Sequence, residues 1–169
     1  MHYWQKHADQ GKVGETAVLE YLESTGKFER VRDVSMVPLH QRRGVDIIAE
    51  LNGKEIWFDV KTDTYIEGTG NVVWELLEKA EESKLGWALT SKSHWLAIFV
   101  PQTQEILFAR MKDVQRCVIQ HWKQLKPYKS PHTAYNTLGM LLPVRILRPY
   151  CRSLNQMYIP ELLKTLCHI

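Results

Sequence analysis

Cysteine is scarce in this chain, and the few present form no pattern. Cys117, Cys151 and Cys167 are odd in number, far apart, and include no Cys-x-x-Cys pair. That argues against a disulfide framework and against a cysteine zinc site, and it fits a reducing cytoplasm. Long apolar runs are also missing. No window approaches the roughly 20 residues of a membrane helix, and the stretch Met1 to His7 has no apolar signal core, so no membrane contact is expected. Charge of one sign is in short supply too: 22 Lys and Arg stand against 19 Asp and Glu, a net +3. Such a balance permits nucleic-acid binding without arguing for it, so the placement of basic residues must make that case. No internal repeat or low-complexity segment is present. With 169 residues, 44% of them apolar and 24% charged, the composition is that of a soluble globular domain able to bury a real core.

What the chain does have is a hairpin. Gly44-Val45-Asp46-Ile47-Ile48-Ala49-Glu50-Leu51 and Lys54-Glu55-Ile56-Trp57-Phe58-Asp59-Val60-Lys61 flank Asn52-Gly53, the strongest short-range hairpin signal. A two-residue turn pairs Leu51 with Lys54 and therefore places Asp46 directly across from Asp59. Their side chains share one face, with Cβ atoms about 4.5–5.5 Å apart. Lys61, two residues further on, shares that face. Two opposed carboxylates repel each other, which a purely structural sheet has no use for. A divalent cation between them would remove the repulsion, and hard oxygen ligands are what Mg²⁺ prefers. The plainer alternative is a solvated face on which Asp46, Glu50, Glu55, Asp59 and Lys61 meet water. Against it, the same face carries Ile48 and Trp57, a pair that needs cover. The other face carries Val45, Ile47, Ala49, Leu51, Ile56, Phe58 and Val60, so the hairpin is expected to be buried with its acids in a cleft.

Gly44-Val45-Asp46 followed by Asp59-Val60-Lys61 resembles the PD-(D/E)xK nuclease superfamily, with the variant Asp-x-Lys in its third motif. The upstream helical glutamate of that pattern is matched by Glu15, after Gly14. Val45 stands where the superfamily's name has proline, a position that varies among members. A narrower resemblance, to phage- and plasmid-borne members, lies in Thr69-Gly70-Asn71 and Glu75 after the lysine, and in the later Gly86-Trp87. The likeness spans roughly residues 8–125. It implies an α/β (α+β), restriction-endonuclease-like core: a mixed central sheet of four or five strands with helices on both faces. Residues 1–125 would form that core, and 126–169 a C-terminal extension packed on the same domain.

Taken in order, the chain opens with a helix over about 7–24, closed by Gly26. Its buried stripe is Gly14, Ala17, Val18, Tyr21 and Leu22. Glu15 continues the edge of that stripe one turn earlier and points toward the sheet; as a first-turn glutamate it also suits the helix dipole. Phe28 to Val34 reads as a strand and 38–44 as a basic loop. Arg42 and Arg43 in that loop suit phosphate contacts beside an acidic cleft, or simply an exposed loop. The run 71–77 is ambiguous by periodicity, and the narrower resemblance favours a strand with Asn71 and Glu75 near the site. A short helix can lie within 85–93. His94 to Val100 reads as a buried strand, Glu105 to Ala109 as its neighbour, and about 111–124 as an amphipathic helix. His121 in that helix is read as a core-edge histidine. The stretch 123–132 is basic and broken by proline, a loop in which Lys126 and Lys129, interleaved with Tyr128 and Tyr135, could follow a nucleic-acid backbone. Met140 to Leu147 reads as an extra strand kept to a sheet edge by Pro143, and Pro160 as the start of a closing helix.

The function implied by the resemblance is endonucleolytic hydrolysis of DNA phosphodiester bonds. Asp46, Asp59 and the carbonyl of Val60 would hold Mg²⁺, with Mn²⁺ able to substitute. Lys61 would orient water or stabilise developing charge, and Glu15 would assist. Members that cut both strands are often homodimers. The alternatives are a catalytically inactive nuclease-fold protein that binds DNA or a partner, and a small-molecule hydrolase using the same metal site.

Overall fold

Asn52 and Gly53 both take positive φ, 52° and 69°. The loop is therefore a two-residue turn of the type whose twist matches its flanking strands. In the computed structural model, which describes residues 3–130 and 136–152, this turn joins β2 (Ile47–Leu51) to β3 (Lys54–Thr62). The register runs from Leu51↔Lys54 to Ile47↔Phe58, as the turn length dictates. The carboxylate of Glu29 clamps the turn, accepting from the Asn52 amide at 2.7 Å and the Gly53 amide at 3.4 Å.

The helix α1 (Tyr3–Ser24) precedes β1 (Arg30–Asp33), which pairs antiparallel with β2. Gly26 closes α1 with φ 61° and an amide bond to the Glu23 carbonyl. On the other side of the hairpin, β3 pairs in parallel with β6 (Trp95–Val100). That strand pairs antiparallel with β7 (Glu105–Arg110), and β10 (Cys151–Arg152) ends the sheet. The central sheet is thus mixed and six-stranded, ordered β1-β2-β3-β6-β7-β10, rather than four- or five-stranded. The crossover between the parallel strands carries β4 (Asn71–Lys79), which founds a second, antiparallel sheet. Its order is β5-β4-β9-β8, with β5 at Lys84–Leu85, β8 at Lys126–Lys129 and β9 at Leu138–Pro143.

Pleating sorts the core. Ile47, Ala49, Leu51, Ile56, Phe58 and Val60 face one way and bury against Val18 and Leu22 of α1. Leu96, Ile98, Leu107 and Ala109 face the other way, under Val72, Trp74, Met140 and Leu142 of the second sheet and under α5 (Met111–His121). Three elements differ from the sequence reading. The 123–132 stretch is not all loop: Lys126–Lys129 forms the edge strand β8, where Pro127 is tolerated. β9 lies between β4 and β8 instead of at an edge. Pro143 is its last residue, and the chain turns there into α6 (Val144–Leu147). The basic loop opens with a helical turn, α2 (Pro38–Gln41), with proline at its start. Val45 joins Val34 and Ile48 rather than the α1-facing set, because the backbone bends just before β2. The proposed helix from Pro160, and Tyr135, fall outside the described residues. Among the described residues, no helix is long and apolar enough to cross a membrane.

Gly14 lets α1 lie close to β3. A Cβ there would come within 1.9 Å of Thr62 Oγ1 and 3.2 Å of Thr62 Cβ. Gly14→Ala is expected to lower stability by about 1–3 kcal/mol through overpacking. Thr62→Ala in the same chain should recover much of that loss. Chemical denaturation of the three variants checks this, and Gly14→Ala melting like wild type would refute the close approach.

Candidate active site

The β2–β3 pairing ends at Ile47↔Phe58, and at Asp46 the bonding shifts by one residue instead of forming an Asp46↔Asp59 rung. The Asp46 amide donates to the Phe58 carbonyl at 2.9 Å, and the Val60 amide donates to Asp46 Oδ2 at 2.7 Å. The second bond replaces a backbone partner with a carboxylate, which fixes the Asp46 side chain beside β3. Asp59 is fully buried. Its Oδ1 is ion-paired with Lys61 Nζ, whereas its Oδ2 is buried without a hydrogen-bond partner among the described residues. Lys61 Nζ also lies 3.4 Å from the Val60 carbonyl and 5.3 Å from the centre of the Trp87 ring. Asp46, Asp59 and Lys61 therefore lie near one another, although Asp46 does not share a rung with Asp59 as the turn register alone would place it.

Burial raises the Asp46 carboxyl to a pKa of about 6, and nearby Asp59 and Glu15 push the same way; Lys61 and the Val60 amide oppose them. Burial disfavours the charge of Lys61, but Asp59, Asp46 and Glu75 together outweigh it and lift the ammonium above its ordinary range. Lys61 is thus paired with Asp59, lies within charge range of Asp46, and stays charged.

The raised Asp46 pKa has a definite sign. Between its ordinary value of 3.8 and about 6 the folded protein holds a proton that the unfolded chain releases. Stability without metal should therefore fall as pH rises from about 4 through 6, by roughly 3 kcal/mol in all. Asp46→Asn should flatten that part of the profile. Denaturation in metal-free buffer at several pH values checks this, and equal slopes in the two proteins would refute it.

Glu15 lies in the middle of α1, not in its first turn, so the helix dipole does not account for it, and it is held rather than free. Lys12 Nζ is 3.2 Å from its Oε2 and is also paired with Asp33. Ser35 Oγ lies 2.8 Å from both Glu15 Oε2 and Asp33 Oδ1, and its single proton serves one at a time. Lys12, Asp33 and Ser35 were not evident from the sequence. Lys12, three residues before Glu15, was the available signal. Glu75 comes to Lys61 from β4: its Oε1 accepts from the Trp87 amide at 3.3 Å, and burial raises its pKa, with Glu78 adding to the rise. Gly86 makes this possible, because a Cβ there would sit 2.6 Å from the Glu75 carbonyl oxygen.

The other candidates lie further out. Asn71 Nδ2 donates to the Thr69 carbonyl at 2.6 Å, securing the turn that leads into β4 instead of joining the carboxylates. Arg42 and Arg43 are exposed after α2, with the Arg43 guanidinium 5.9 Å from the Trp57 ring centre. Trp57 is stacked on His94 and edged by His40, which is the cover that the Ile48–Trp57 pair requires. Ser93 Oγ donates to the Gly44 carbonyl at 2.7 Å, anchoring the arginine segment where it delivers Asp46. Lys126 and Lys129 are exposed on β8, at the outer edge of the second sheet.

Among the described residues, no three His, Cys, Asp or Glu side chains gather as a ready cage for a metal. Mg²⁺ does not require one, since it keeps several waters and is commonly held by one or two carboxylates. The unmet Asp59 Oδ2 belongs to a carboxylate within charge range of Asp46, and hard oxygen donors of this kind suit such an ion. Comparison of the chain with protein-family models, with curated proteins and with solved structures finds no match.

Proposed function

We propose that this protein is a metal-dependent endonuclease that hydrolyses DNA phosphodiester bonds at the β2–β3 hairpin. The observation that carries the reading is the buried Oδ2 of Asp59, which has no partner among the described residues and belongs to a carboxylate near Asp46 and paired with Lys61. Asp46, Asp59 and the Val60 carbonyl would hold Mg²⁺ or Mn²⁺. Such an ion supplies Lewis acidity to a phosphate and lowers the pKa of a bound water. Lys61, kept charged by the acids around it, presents its ammonium donors to charge developing on the phosphate. Glu15, steadied by Lys12 and Ser35, accepts a hydrogen bond from water. Glu75 helps keep Lys61 charged and in place over Trp87.

Incubating the protein with supercoiled, linear and branched DNA, with and without Mg²⁺, tests the proposal. Cleavage that requires both the metal and Asp59 is expected, and no cleavage of any substrate would overturn it. Arg42 and Arg43 give a separate expectation. Replacing both with alanine should weaken DNA binding and flatten its salt dependence by about one unit of slope for each lost phosphate contact. A titration with Asp59→Ala protein checks this, and an unchanged slope would remove the loop from the DNA contact.

A further inference from the structure

At the β10 edge of the central sheet, α5 and the chain from α6 to Arg152 enclose a cleft of about 550 Å³. Its walls include Arg110, Asp113, Arg116, His121, Arg145 and Arg152. Four arginines against one aspartate leave it with a formal charge of +3. The lining alone thus carries as much net positive charge as the chain as a whole. Like charges so gathered repel unless an anion joins them.

The arginines are arranged for an anion rather than merely near one another. Asp113 is buried, and it holds Arg110 through Nε at 2.6 Å and Arg116 through one terminal nitrogen at 3.3 Å. Each guanidinium has five N–H donors, so this contact leaves most of each fork open. Among the described residues Arg145 forms no ion pair, and Arg152 donates only to the Pro149 and Cys151 carbonyls. The Nδ1 of His121 on the same wall is buried without a partner among the described residues.

We propose that this cleft binds a phosphate-bearing ligand of nucleotide size through Arg110, Arg116, Arg145 and Arg152. Planar guanidinium forks match phosphate oxygens two at a time. The volume suits a nucleotide better than a lone ion. The source of the phosphate is either a free polyphosphate compound or one unit of a nucleic-acid strand. The site is separate from the hairpin acids: Cys151 pairs with Ala109, Ala109 with Leu96 and Leu96 with Asp59, three strand spacings or about 14 Å. The proposal does not depend on the nuclease reading.

The test is an equilibrium titration in metal-free buffer with two probes, inorganic pyrophosphate and a short fluorescein-labelled single-stranded DNA. Arg145→Ala with Arg152→Ala removes two exposed side chains, and is expected to weaken binding about tenfold or more. For the DNA probe, the salt slope should fall by about two. Arg145→Gln alone should give a smaller loss in the same direction. Lys54→Ala with Lys84→Ala, which removes equal charge elsewhere, should bind nearly as wild type does. If both probes bind and pyrophosphate displaces the DNA, the cleft takes free polyphosphates; if only the DNA binds, it takes a strand. Either result, with the loss in the cleft variants, supports the site. Failure of wild type to bind either probe, unchanged binding in the cleft variants, or an equal loss in the lysine pair would overturn it.

Discussion

Asp59→Ala is expected to remove metal-dependent cleavage, with a loss of about a thousandfold or more, because it takes away a proposed metal oxygen and the partner of Lys61 together. The same change should stabilise the protein in the absence of metal. Oδ2 of Asp59 is buried without a partner among the described residues, and an unmet buried polar atom costs about 1–3 kcal/mol. Its charge also adds to the forces holding Asp46 near pH 6. Against these gains, Lys61 loses one ion pair, but its side chain is 31% exposed and it keeps Asp46 and Glu75 as neighbours. Added Mg²⁺ should reverse the order, since only wild type gains from binding it. Melting curves in EDTA and in Mg²⁺ decide this. A markedly lower melting temperature for Asp59→Ala in EDTA would show that the two acids do not form a repelling pair.

The second large effect comes from two single-residue insertions in the same hairpin. An alanine between Asn52 and Gly53 disturbs a turn with two positive φ values and a Glu29 clamp. A slip of the pairing would turn Ile56, Phe58 and Val60 away from α1, so the fold should resist it. The extra residue is then taken up as a three-residue loop or bulge, with lower stability and retained cleavage. An alanine between Phe58 and Asp59 has no such outlet. Phe58 is bonded to Asp46, and Asp59 is paired with Leu96 in the parallel ladder. This insertion moves Asp59 away from Asp46 and should abolish cleavage. Equal activities in the two proteins would show that the acids do not act together across this hairpin.

The hairpin was legible because its information is local. Asn-Gly fixes the turn, and the turn fixes the register as far as Ile47↔Phe58, one residue short of Asp46 and Asp59. The all-buried β6 was legible for a similar reason: a run of six apolar residues has no wet side to hide. What escaped the sequence depends on contacts between distant segments. β9 is a strand because β4 offers it an edge, and β8 because β9 offers the next, and nothing within 126–143 announces either edge. The Lys12–Asp33–Ser35 group around Glu15 joins a helix to the end of β1, and its partners carry no common spacing. Pro143 was a fair signal misapplied. It does mark the end of a ladder, but along the strand rather than across the sheet.

The pairing of Asn71 with Pro143 ties a strand in the middle of the chain to one near its end. Residues 30–110 hold all but the last strand of the central sheet, so the hairpin and its acids can form while the chain is still being made. The second sheet cannot. Val72 and Trp74 lack their β9 neighbours Leu142 and Met140 until Leu138–Pro143 has been made and has closed a long loop. Folding should therefore proceed in two stages, with the late, high-contact-order closure setting the rate. The partly made chain is at its most aggregation-prone in the interval before that closure.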